Sequence, residues 1–139
     1  MLRRVFLSLA FLVFAGPVFA SDVYIVVDIS DQTMAVRVDG ELKHQFDVST
    51  GRKGYSTPTG AYGVTRMYRK YHSKKYDGAP MPYSIFFHGG YAIHGTTDLK
   101  RLGRVASHGC VRLHPDNAKT LFSLVKEIGA DNTHVWVKA

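Results

Sequence analysis

The chain has 139 residues, a net charge of +7 and a single cysteine, Cys110. One cysteine excludes an internal disulfide framework and any structural zinc site built on paired cysteines. The length suits one domain with one hydrophobic core.

At the start, Arg3 and Arg4 precede an apolar run from Val5 to Phe14, and Gly16-Pro17 then break it ahead of Val18-Phe19-Ala20. This pattern predicts a secretory leader over residues 1–20, cut after Ala20, with one folded domain over 21–139. The run is shorter than the roughly 20 apolar residues that span a bilayer core, so no stable membrane anchor is expected after cleavage. Loss of Arg3 and Arg4 leaves a net charge of +5, much of it between Arg66 and Lys75. A basic exported domain suits an anionic polymer or membrane surface, and export makes nucleic acid an unexpected partner.

Val23 to Ile29 is a β-rich apolar run and Ser30-Asp31-Gln32 a turn. Thr33 to Val38 alternates, with Met34, Val36 and Val38 on one face. Asp39-Gly40 is the pair expected of a two-residue hairpin, because both residues tolerate positive φ. Glu41 to Ser49 returns with a less regular alternation, which makes the first third an antiparallel meander. Thr50 to Gly60 is a glycine- and proline-rich loop, and Ala61 to Met67 resumes strand character. Tyr68 to Pro82 is basic, aromatic and broken by Gly78, Pro80 and Pro82. It reads as a long surface loop, either a lid or binding edge or a floppy insertion. Tyr83 to Phe87 and Tyr91 to His94 flank Gly89-Gly90 as a second hairpin. Pro115 suits the first turn of a helix, Ala118, Leu121, Phe122, Val125 and Ile128 follow helical spacing, and Gly129 stops it. Thr133 to Val137 is a last strand. The fold class expected is mainly β, with one amphipathic α-helix immediately after the cysteine.

Chemistry concentrates in Ser107-His108-Gly109-Cys110-Val111-Arg112-Leu113 and in Ile93-His94-Gly95-Thr96 upstream. A free thiol has a pKa of about 8.5, so a nucleophilic Cys110 needs a base or a positive field. His94, at the end of a strand, is the favoured base, with His108 as a wall or orienting group. A neutral imidazole needs its far nitrogen held; no Asp or Asn is obviously placed for that, which leaves Asp98 and a backbone carbonyl near Gly95 as the candidates. Gly109 and Cys110 offer backbone N–H groups for an oxyanion hole. Arg112 reads equally as a bidentate partner for a substrate carboxylate or as a structural clamp. His88 and His114 read as locally satisfied. His94, His108, Cys110 and His114 match no zinc-ligand spacing, so neither metal nor cofactor is expected.

These motifs closely resemble the L,D-transpeptidase catalytic domain, the YkuD-like family. Its pattern is a His-Gly pair, a spacer, then Ser-His-Gly-Cys, one residue, and Asn or Arg, matched here by His94-Gly95 and Ser107 to Arg112. Ser49-Thr50-Gly51 and Thr57-Pro58-Thr59-Gly60 also fit, and the likeness extends over Val23 to Lys138. The resemblance implies a β-sandwich-like fold and an enzyme of bacterial peptidoglycan placed in the periplasm. Cys110 would be the nucleophile, His94 the general base oriented by the Gly95 carbonyl, and Gly109 part of the oxyanion hole. Ser107, His108 and Arg112 would serve substrate binding, Ser107 by positioning the motif, His108 by shaping the site and Arg112 by assisting the substrate or the oxyanion. The implied reaction cuts the L-centre–D-alanine bond of a tetrapeptide stem, forms an acyl-thioester and passes it to a diaminopimelate amine, giving a 3-3 cross-link. Acylation of Cys110 by carbapenems is implied as well. Two alternatives keep the acyl-enzyme and change its fate: transfer to an outer-membrane protein or lipoprotein, or hydrolysis. A non-catalytic wall-binding module is a fourth reading, which the intact Cys-His set argues against.

Overall fold

The computed structural model describes residues 11–17 and 19–139. Most of the expected leader, including Arg3, Arg4 and Val18, lies outside them. Residues 11–17, 19 and 20 are exposed and carry no helix or strand. Among the described residues no helix is long and apolar enough to cross a membrane.

Among the described residues, nine strands form two sheets. The first has the order β3-β2-β1-β9-β4 and the second β5-β6-β7-β8. β1 (Val23–Asp28), β2 (Thr33–Val38) and β3 (Glu41–Asp47) are the expected antiparallel meander. Asp39 and Gly40 take φ of 50° and 82°, the conformation the hairpin demands. The irregular alternation of β3 has a cause: its register against β2 slips between Val36 and Arg37, so its phase changes midway.

The sheets enclose one core. Val23, Ile25 and Val27 of β1, with Met34 and Val36 of β2, face Ile85, Phe87, Ile93, Val111 and Leu113 of the second sheet. α1 (Pro115–Ile128) adds Leu121, Phe122 and Val125 to that core. His114 caps it through Nδ1, which accepts the Asp116 N–H at 3.1 Å. Pro115 stands in its first turn, and Gly129 closes it with φ 117°.

Three features depart from the sequence reading. The strand expected over 61–67 is two strands: β4 (Gly60–Gly63) pairs with β9 in the first sheet, and β5 (Arg66–Tyr68) pairs with β6 (Ser84–His88) in the second. Val64 and Thr65 carry the chain from one sheet to the other, so Tyr68 is strand and not loop. A short strand, β8 (Val111–Leu113), follows the cysteine directly. Finally, β9 (Thr133–Lys138) runs parallel to β1, and β8 runs parallel to β7 (Tyr91–Gly95).

Candidate active site

β7 and β8 build the site between them. Ile93, Val111 and Leu113 point into the core, so alternation sends Ala92, His94 and Arg112 to the outer face of the second sheet. His94 and Arg112 are register partners. Cys110 packs on the same outer face, against the small cluster of Met81, Phe86 and Ala92 with Tyr71. The helix approaches close behind. A Cβ on Gly95 would meet Pro115 Cα and Pro82 Cγ, each at 3.1 Å.

His94 is buried, at 6 % exposure, and its Nδ1 lies 2.7 Å from the Gly95 carbonyl oxygen. A carbonyl only accepts, so Nδ1 carries the proton and Nε2 keeps the lone pair. Asp98 is not the orienting group; it pairs with Arg101 at 3.4 Å. Burial pulls the His94 pKa down to about 4 against the raising effect of the Gly95 bond, and Arg112 lowers it further. Burial pushes the Cys110 thiol above its ordinary range, while an Ala92 backbone hydrogen bond and Arg112 oppose that. Both directions favour the uncharged form, a neutral thiol and a neutral imidazole on the same sheet face.

The cysteine turn is braced from inside and outside. Ser107 Oγ donates to the Cys110 carbonyl at 2.6 Å and accepts the Gly109 N–H at 3.0 Å. Ser107 is 1 % exposed, and its hydroxyl is engaged within the turn. The Gly109 N–H is committed to Ser107, so it is not a free oxyanion donor. Among the described residues, no protein acceptor is recorded for the Cys110 N–H. Glycine is nonetheless required at 109: its φ is 119°, and a Cβ would meet Tyr91 Cε1 at 2.4 Å.

Thr57 was not singled out from the sequence as a site residue. It is 3 % exposed, its Oγ1 donates to the Gly109 carbonyl at 2.8 Å, and it accepts the Gly51 N–H at 3.0 Å. Gln32, Ser49 and Thr50 extend this support. The Gln32 side chain bonds Thr50 twice, and Ser49 exchanges both backbone hydrogen bonds with Arg112. The only signal in the chain was the Thr57-to-Gly60 motif, because long-range hydroxyl bonds leave no periodicity.

The basic aromatic segment is a strap and not a floppy insertion. Residues 69–83 fold back on themselves through bonds such as Met81 N–H to Tyr71 carbonyl, 2.8 Å, and Tyr83 N–H to Arg69 carbonyl, 2.9 Å. The strap lays Tyr71 edge-on against Phe86 and stacks Tyr76 on His108, ring centroids 4.2 Å apart. Tyr55 meets the same imidazole edge-on at 4.9 Å. Burial holds the His108 pKa below its ordinary value, with help from Arg52, Arg112 and Lys75. The Arg112 guanidinium is half-buried and forms no ion pair among the described residues, although Asp98, Cys110, Arg101 and Arg52 all act on its charge. Its backbone exchanges two hydrogen bonds with Ser49, which is the clamp of one reading. His88 packs against Tyr62 and Tyr91, and His114 caps the helix.

Comparison with known proteins places this geometry. The YkuD family model, described as the L,D-transpeptidase catalytic domain, matches residues 22–137. YqjB of Bacillus subtilis (strain 168), assigned to the L,D-transpeptidases, is 30% identical over 75% of this chain and 66% of its own length. An L,D-transpeptidase structure from Stackebrandtia nassauensis is 32% identical with a TM-score of 0.74, covering 85% of this chain and 56% of that one. The L,D-transpeptidase LdtMt1 in complex with imipenem shares the fold, with a TM-score of 0.75 at 23% identity over 85% of this chain and 59% of that one. The chain thus spans about two thirds or less of these relatives. With the family match running from the first strand almost to the end of the last, this chain belongs to the L,D-transpeptidase catalytic-domain family.

Proposed function

We propose that the protein is a cysteine-dependent L,D-transpeptidase acting on peptidoglycan stem peptides. The observation that carries this reading is the fixed His94 tautomer, with Nε2 left as a base on the sheet face that Cys110 shares. Family membership supports the reaction class.

In the proposed cycle the Cys110 sulfur attacks the carbonyl carbon between the L-centre and the terminal D-alanine. His94 Nε2 takes the thiol proton as the C–S bond forms, because neither group is charged at rest. The Cys110 N–H steadies the oxyanion, and Gly109 supplies the close approach. Collapse breaks the C–N bond, His94 returns the proton to the departing D-alanine amine, and a thioester remains. A diaminopimelate side-chain amine then attacks the thioester and gives a proton to His94. Cys110 leaves as a thiol as the 3-3 cross-link forms. Arg112 holds a substrate carboxylate, and His108 forms a wall of the cleft. Export to the periplasm with cleavage after Ala20 belongs to the same proposal and rests on the residue pattern at the start of the chain.

The test is intact mass after incubation with a carbapenem. Wild type is expected to gain one adduct, Cys110→Ala none, and His94→Ala an adduct formed far more slowly. An unmodified wild-type protein whose thiol still titrates would overturn the reading. Product analysis on tetrapeptide stems then identifies the acceptor as a stem dimer, a protein adduct or a shortened stem.

A further inference from the structure

One arrangement beside the cysteine turn is used by that cycle only through His108. Five side chains form a row across the cysteine turn. The Arg52 guanidinium lies over the Tyr55 ring, 4.7 Å from its centroid. Tyr55 meets His108 edge-on at 4.9 Å, and Tyr76 stacks on the other side of the contact at 4.2 Å and 11°. Lys75 Nζ lies 5.5 Å from the Tyr76 centroid. The row is built onto the catalytic turn, since the Arg52 N–H donates to the Ser107 carbonyl at 2.9 Å and the Tyr55 N–H to the Arg52 carbonyl at 2.8 Å.

Its ends are cations without counter-charges. Neither Arg52 nor Lys75 takes part in the ion pairs of the described residues, and Asp98, the acid near Arg112, is engaged with Arg101. Arg52, Lys75 and Arg112 are close enough to His108 that all three disfavour a charge on its imidazole. Three cations around one half-buried ring repel one another, and among the described residues the only carboxylate acting against this at Arg112 is Asp98, itself paired with Arg101. The aromatic faces fix where the two flanking charges stand, which a solvated lysine patch would not do.

We infer that Arg52 and Lys75, together with Arg112, form a carboxylate-reading rim that selects acyl-donor stems in their free-acid form over amidated ones. This rests on the transpeptidase reading of the same site and names the charge state of its donor. A tetrapeptide stem carries several carboxylates near the bond that Cys110 attacks, and amidation removes their charge with almost no change of shape. Electrostatics is thus the discriminating force. A charge-assisted bond to a guanidinium is lost on amidation, while the surrounding stacking contacts are kept.

The experiment compares wild type with the double variant Arg52→Gln, Lys75→Gln on two synthetic tetrapeptide stems, free acid and amidated. Both positions are exposed, so the variant is expected to fold, and Arg52→Lys, Lys75→Arg serves as the charge-keeping control. Wild type should favour the free acid in kcat/KM by about tenfold, the scale of one or two partly screened charge pairs. The preference should collapse in the Gln variant and persist in the control. A second readout needs no turnover: the ratio of Cys110 alkylation by iodoacetate to that by iodoacetamide should fall several-fold in the Gln variant and in high salt. Cross-linking of both stems at equal rates, with an unchanged alkylation ratio, overturns the rim and leaves the transpeptidase reading intact. A shifted alkylation ratio with neither stem cross-linked supports the rim and overturns the transpeptidase reading instead.

Discussion

At the scale of single residues, the site depends on groups that never touch substrate. Thr57 is the plainest case, because its hydroxyl joins the Gly51 and Gly109 backbones in a buried place. Thr57→Val keeps the shape and removes both bonds, leaving a buried carbonyl and amide unpaired at a cost of about 1–3 kcal/mol. Loosening the turn by even a fraction of an ångström also misplaces the thiol, so carbapenem acylation should slow by about tenfold to a hundredfold. Thr57→Ser should restore both. Acylation rates by intact mass, read beside urea unfolding of the same variants, check this; an unchanged rate in Thr57→Val would deny Thr57 a positioning role. Cys110, His94, Gly95 and Arg112 stood out in the sequence because reactive side chains cluster in a short, named pattern. Thr57 was harder to place, because a hydroxyl's partners are set by three-dimensional closure.

Among the elements, those whose signals are local were legible and those joined at a distance were not. The Asp39-Gly40 hairpin and the Pro115-to-Gly129 helix depend on backbone chemistry written into adjacent residues. The break of 61–67 into β4 and β5 had no such mark, since Val64-Thr65 is as strand-like as its neighbours. The parallel pairings of β8 with β7 and of β9 with β1 join residues far apart in the chain, and no local pattern records them. Gly95 shows how tightly the elements are fitted: strand β7 and helix α1 meet there with no space for a methyl group. Gly95→Ala should push the helix off the strand, costing about 1–3 kcal/mol, and move the carbonyl that holds His94. A lowered Tm together with slower acylation is the expected result; a lowered Tm with unchanged acylation would separate the helix contact from the His94 support.

For the molecule as a whole, His94 ties stability to acidity. The unfolded chain protonates this histidine near pH 6.5, whereas burial holds its folded pKa at about 4. Below 6.5 the unfolded state binds the extra proton first, so stability falls as pH falls and levels off below about 4. The full loss is about 3 kcal/mol, from 1.36 kcal/mol per pKa unit. Urea midpoints of wild type and His94→Gln across pH 4 to 7 measure it. The wild type should lose the additional stability over this window, and parallel curves would show that burial of His94 does not control acid sensitivity. The same neutrality keeps the base ready for proton transfer throughout the range in which the fold is most stable.

The place of β9 between β1 and β4 has a consequence for how the molecule comes into being. A chain emerging amino-terminus first presents β1 with one bare edge, and β4 with no neighbour in its sheet, until Thr133–Lys138 follows. The nucleophile, the strap and the helix are all synthesised before the strand that closes the scaffold beneath them. In that interval the Cys110 thiol lacks the burial that the finished sheets give it, and after the proposed export it would stand at the foot of the ladder to sulfenic and sulfinic acid. The six residues of the final strand therefore set how long the active thiol goes unsheltered during maturation.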